Sequence, residues 1–193
     1  MSEHAVPATE RRYEWYSHEA MKADVESGNE PSAAGEISRE WTDLAERLHE
    51  AGEVLTGVSG ASEDAWSGPG GEAVRAALAR AAAWSRSAAG VSATLADAVA
   101  SQAEVAAKAR AEMPEPVSYD PAAMIRDAAG SGDIAVLVGL SDVLSARREE
   151  AEAARQKAID VMYARDAALR AAVPAVSFTP PPALTEEGRP ALE

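Results

Sequence analysis

The chain reads as all-α: an elongated antiparallel helical bundle organised around a long helix hairpin closed by a Trp-x-Gly turn at Trp66-Ser67-Gly68. Three observations predict this. Apolar residues recur at alternating steps of three and four on both sides of residues 66–71, which is the period of one helix face and not of a strand. Alanine, the strongest helix former, fills about a quarter of the 193 positions. Between the two stretches stand Trp66, Ser67, Gly68, Pro69, Gly70 and Gly71. A helix interior loses about 1 kcal/mol at a glycine and about 3 kcal/mol at a proline relative to alanine, so the chain has to turn there.

Taken in order, residues 1–12 are polar and irregular and are expected to be flexible. Residues 13–27 can form a short helix that stops at Gly28-Asn29-Glu30-Pro31. Ser32 is placed to cap the next helix. Along that helix Ile37, Trp41, Leu44, Leu48, Ala51, Leu55 and Val58 make a narrow stripe, while Glu40, Asp43, Glu46, Arg47 and Glu50 fall largely off it, as a solvated face requires. After the turn, residues 72–112 contain no proline and only Gly90 as a breaker, which predicts one helix of about 60 Å at 1.5 Å per residue. Its stripe, Val74, Leu78, Ala81, Trp84, Ala88, Val91, Leu95, Ala98, Val105 and Ala109, is expected to face the stripe of the preceding helix. Pro114 and Pro116 stop this helix. Pro121, at a first-turn position, and Gly130-Ser131-Gly132-Asp133 bracket a short helix, and Asp133 is placed to cap a last one reaching about Val173. Ile134, Val136, Leu137, Val138 and Leu140 are apolar enough to need a cover, whereas 146–157 is mostly charge and alanine. The bundle thus spans 13–173. Residues 174–193 form a proline-rich tail in which Phe178-Thr179-Pro180-Pro181-Pro182 should be extended.

Composition narrows the function. Thirty-two acidic against eighteen basic side chains leave a formal charge of −14, which repels nucleic acid and anionic membrane surfaces alike. Cysteine is absent, so disulfides and thiolate chemistry are too, and stability must come from packing. With aromatics at only 5%, an interior has to be built by close helix packing around small side chains. Residues 1–12 hold no apolar stretch like a signal-peptide core. No run of eighteen uncharged apolar residues occurs, and a membrane span is not expected.

Gly68-Pro69-Gly70-Gly71-Glu72-Ala73 fits the dinucleotide fingerprint G-x-G-x-x-A, but it follows a helix where that site needs a buried strand, so a tight interhelix turn is the better reading. His4, His18 and His49 are scattered, without metal-ligand spacing, and read as surface histidines. Arg148 with Glu152, and Glu152 with Arg155, have the spacing of helix-surface ion pairs. No serine stands in a nucleophile elbow; the chain is not expected to be an enzyme or to hold a cofactor or metal. Trp41 and Trp84, on the stripes, are expected in the core. Trp66 sits where a helix ends beside glycines, placed either to staple the hairpin or to offer an aromatic anchor to another protein.

Trp41-x-x-Leu44-Ala45-x-x-Leu48, Trp66-Ser67-Gly68-Pro69, and Trp84 eighteen positions after Trp66 together resemble the PPE family of actinobacteria and the related EspB-like proteins. The resemblance runs in helix order from about residue 13 to 173, and the tail is similar to the proline-rich segment that closes such modules. It implies a type VII (ESX) secretion substrate, made in the cytoplasm and exported folded to the outside or the cell surface with a small PE-like helical partner. Trp66 and Gly68 would be half of a composite export mark. The other half, Tyr-x-x-x-Asp/Glu, is missing: four residues after Tyr13, Tyr16, Tyr119 and Tyr163 come Ser17, Ala20, Ala123 and Ala167. The partner would supply it. No Pro-Pro-Glu motif stands near the start, where Val6-Pro7-Ala8 offers one proline. Partner helices would dock on the seam of Ile37, Trp41, Leu44, Leu48, Leu55, Val58, Leu78, Trp84, Val91 and Leu95. By the same resemblance a secretion chaperone would take a far tip formed by 113–120 with Ile134, Leu137 and Leu140, and a type VII ATPase would act on the exported pair. The alternatives are an EspB-like homo-oligomer that assembles after export, and the export leader of a larger toxin or enzyme.

Overall fold

The computed structural model describes residues 10–27, 31–62 and 65–183. Among them the fold is all-α: a 3-10 turn at Tyr13–Trp15, then α1 (His18–Glu26), α2 (Pro31–Ala61), α3 (Pro69–Glu112), α4 (Pro121–Ser131) and α5 (Ile134–Ala171), with α2 and α3 forming an antiparallel hairpin. Expectations for residues 1–9, for Gly28-Asn29-Glu30 and for 184–193 lie outside the described residues.

Local chemistry sets most helix ends. Ser17, Asp120 and Asp133 accept hydrogen bonds from the backbone N–H groups of Ala20, Ala123 and Ala135 at 3.1, 2.9 and 2.8 Å, so each satisfies a donor that a helix start leaves unpaired. Gly132 ends α4 in the left-handed region at φ 68°. Three boundaries differ from the sequence reading. The helix expected over 13–27 is split, because Tyr16 and Ser17 are extended and Ser17 caps α1 instead of continuing the 3-10 turn. Helix α2 starts at Pro31, which places Ser32 inside it. Helix α3 starts at Pro69, three residues early, since a proline at the first position gives up only an N–H that has no helical partner.

The described residues fall into two compact units, 31–101 with 173–183, and 10–27 with 102–172; α3 contributes to both. In the first, α2 and α3 meet through small residues. Ser38 Oγ donates to the Ala96 carbonyl at 3.1 Å, and a Cβ on Gly52 would stand 3.3 Å from the Ala82 carbonyl oxygen. Ala82, Ser85, Ala88, Ala89, Ser92, Ala96 and Ala98 are buried, as is Gly52. Of the expected α3 stripe in this unit Ala88 and Ala98 are buried, while its large members are not, so the closest approach is centred one residue on, about 100° of rotation. Leu78, Trp84, Val91 and Leu95 on α3, with Trp41, Leu44, Leu48 and Leu55 on α2, are half-buried. They share one flank beside the contact, because small side chains allow the closest approach of two helix axes.

In the second unit, α5 packs against the 3-10 turn, α1 and α4. Its core encloses Tyr13, Met21, Val25, Ala109, Met113, Ala158, Ile159, Val161 and Met162. Tyr13 Oη donates to Asp166 Oδ2 at 2.6 Å, and Arg165 Nη2 donates to Asp24 Oδ2 at 3.0 Å. Burial, and then the hydrogen bond to Asp166, push the Tyr13 hydroxyl above the usual tyrosine range. Arg155 reaches the Glu14 and Tyr16 carbonyls, fastening the 3-10 turn to α5. Met113 belongs to this core, and Ser118 accepts from Arg147 at 3.1 Å. Arg147 lies thirteen residues beyond Ile134, about 20 Å of helix. Residues 113–120 and the apolar start of α5 consequently do not form one tip.

Candidate functional site

The interhelix turn is held at several points. The Trp66 N–H bonds the Ser62 carbonyl at 2.9 Å, and Arg75 Nη1 donates to the Trp66 carbonyl at 2.6 Å. Gly68 carries φ 90°, a conformation that glycine adopts without steric cost, and its carbonyl takes the Glu72 N–H at 3.1 Å to start α3. Gly71 is helical but sits against the Trp66 backbone: an added Cβ would come within 2.7 Å of the Trp66 carbonyl carbon. Two glycines are thus needed for different reasons, backbone rotation at Gly68 and close approach at Gly71. Trp66, on this fixed backbone, is 44% exposed. The glycines join helix to helix, so the dinucleotide fingerprint has no strand before it.

Beside the α2–α3 contact lies the apolar flank of Trp41, Leu44, Leu48, Leu55, Leu78, Trp84, Val91 and Leu95. Ile37 and Val58, on the same stripe, are 46% and 45% exposed. Trp41 and Trp84 are not enclosed between the helices, as the stripes had suggested. Trp41 stacks on Phe178 with ring centroids 6.2 Å apart and planes 22° apart, and Trp84 Nε1 donates to the Thr179 carbonyl at 2.8 Å. Residues 173–183 carry no regular secondary structure, and Phe178-Thr179 lies across the flank. On the opposite flank an open groove of about 590 Å³ is floored by Ala45, Ala89, Ala93 and Ala96 and edged by Glu46, His49, Glu50, Arg86 and Asp97.

The start of α5 is not covered as expected. Ile134 and Val138 are 77% and 78% exposed, Leu137 is exposed as well, and Leu140 is half-buried. His18 is also corrected: it is buried, and its Nε2 donates to the Pro114 carbonyl at 2.9 Å, whereas His49 is exposed. The spacing alone hid this, because the acceptor is 96 positions away. Arg148 pairs with Glu152 at 2.8 Å, but Arg155 turns to the 3-10 turn, and Arg147 pairs with Glu150 at 2.7 Å. Among the described residues no group of three or more histidines or carboxylates is placed to hold a metal ion, and no helix is long and apolar enough to cross a membrane.

The signal that the sequence reading missed is a heptad of small residues. Ser38, Ala45, Gly52 and Ser59 recur every seven positions on α2, as do Ala82, Ala89 and Ala96 on α3. No protein-family model matches the chain, and no curated protein matches it significantly.

Proposed function

We propose that this chain is a PPE-like substrate of a type VII secretion system that pairs with a small PE-like helical protein and is exported folded. Its role is binding, not catalysis. The observation that carries the reading is the turn: a half-exposed tryptophan on a backbone fixed by Ser62, Arg75, Gly68 and Gly71, in the order Trp66-Ser67-Gly68. Trp66 and Gly68 are half of the export mark, and the partner's Tyr-x-x-x-Asp/Glu is the other half. The apolar flank supports the reading because its leucines and tryptophans are left half-covered. A partner helix laid there gains about 25 cal/mol for each Å² of apolar surface removed from water, less the entropy of association. The exposed Ile134 and Leu137, with Leu140, offer a secretion chaperone a place to dock before the type VII ATPase acts, and the destination is the outside or the cell surface.

Co-expression with each small helical protein encoded in its neighbourhood tests the pairing. A stable one-to-one complex is expected. A chain that stays monomeric when mixed with every such neighbour ends the reading. Export is tested with Trp66→Ala, which should abolish secretion while helicity and melting temperature stay nearly unchanged; normal secretion of that variant removes Trp66 from the signal. A second reading, an EspB-like homo-oligomer, is favoured by the exposure of Ile134 and Val138. Light scattering separates the two, since only this one gives an assembly of the chain alone.

A further inference from the structure

We infer that Trp41 and Trp84 form a recognition site for an extended, proline-rich segment, and that its occupant is this chain's own tail, residues 176–182, bound in cis. The assignment deepens the proposed function, because the flank that the tail crosses is the one offered there to a partner helix.

Two contacts of different kind define the site. The Trp41 ring lies nearly parallel to Phe178, the sole phenylalanine of the chain, and the Trp84 indole N–H is given to the carbonyl of the next residue, Thr179. Pro180, Pro181 and Pro182 follow. A proline has no N–H of its own, so such a segment cannot close backbone hydrogen bonds internally and presents its carbonyls to outside donors. An aromatic face with an adjacent indole donor is the chemistry that reads an extended proline-rich peptide. The prolines also limit the freedom the segment loses when it is laid down. Contact is shallow, since Phe178 remains 45% exposed. Tethering compensates, because a segment attached to its own target acts at an effective concentration on the order of mM. The tail is thus a displaceable cover. A flank occupied about 90% of the time weakens any competing partner about tenfold, by the fraction of chains left open.

The test needs no partner. Full-length chain and its Phe178→Ala variant are compared by the indole N–H resonances of Trp41 and Trp84 and by fluorescence of an anilinonaphthalene sulfonate dye. Because Phe178 lies in the tail, unchanged far-ultraviolet circular dichroism is expected. The variant should shift both indole signals, speed solvent exchange of the Trp84 indole proton about tenfold and raise dye binding several-fold. A synthetic peptide of residues 173–183 added in excess should reverse all three, and the same peptide with Phe178→Ala should not. Indole signals and exchange unmoved by Phe178→Ala, or reversal by both peptides alike, overturn the assignment. A docked tail in a chain that finds no helical partner would end the proposed function and leave this site standing.

Discussion

In the unit of residues 10–27 and 102–172, the enclosed side chains are large: Tyr13, Met21, Ile159 and Met162. In the unit of 31–101 and 173–183 they are small: Ala82, Ser85, Ala88, Ala89, Ser92, Ala96 and Ala98, with tryptophans and leucines half-covered on a flank. The first derives its stability from burying apolar area. The second brings two helices close through residues that have little area to bury, and its larger apolar side chains stay half-covered. That division separates a unit with an enclosed core of large side chains from one whose larger apolar side chains stay half-covered.

The sharpest way to break the comparison is to truncate one large residue in each unit. Met162→Ala should cost about 2–5 kcal/mol, because it empties an enclosed site, while Leu48→Ala on the flank should cost less than about 1 kcal/mol, as for a surface site that water already reaches. Urea unfolding of both variants measures this, and equal losses would mean that the flank is an ordinary core. Next in size is Gly71→Ala. Its Cβ meets the Trp66 carbonyl, which cannot swing aside as a side chain can, and about 1–3 kcal/mol of overpacking is expected. The same substitution at Gly70, where an added Cβ has open space, should be harmless by the same melting measurement.

Tyr13→Phe comes third, at about 1 kcal/mol for a lost hydrogen bond to Asp166. It also changes the pH profile. Because the Tyr13 hydroxyl is raised by burial and by Asp166, the folded chain holds this proton more tightly than the unfolded chain does. The stabilisation is complete below the ordinary tyrosine value of about 10 and is lost as pH rises through the folded value. Tyr163, raised by desolvation and then by Glu14, acts with the same sign. Tyr13→Phe should therefore flatten the alkaline loss of stability only in part. Smallest is Trp66→Ala, at no more than about 0.5 kcal/mol in thermal unfolding. A large loss there would make the ring a structural staple instead of an exposed anchor.

Much of this was legible in the chain. Ser17 and Asp120 aside, the caps and stops at Pro114, Pro121, Gly132 and Asp133 are short-range chemistry, and the turn at Gly68 follows from glycine and proline alone. Gly71 could be read as a breaker but not as a close contact, since that depends on where the Trp66 carbonyl lands. His18 and Tyr13 were hidden for a related reason: Pro114 and Asp166 reach them only through the fold. Trp41 and Trp84 sat on apolar stripes that suggested a core, and their partners proved to be Phe178 and Thr179 in the tail.

Sequence by itself determined that the chain is helical, where the long helices break, and that α2 and α3 return antiparallel, because helix propensity, capping and turn formation act over a few residues. Only tertiary structure decided how far each helix is rotated and what lies over its flank. An apolar period counts every large side chain on a face, whereas two helices settle where their axes approach most closely, and there Ser38, Gly52 and Ala96 outweigh the larger Ile37, Ala51 and Leu95 one position away.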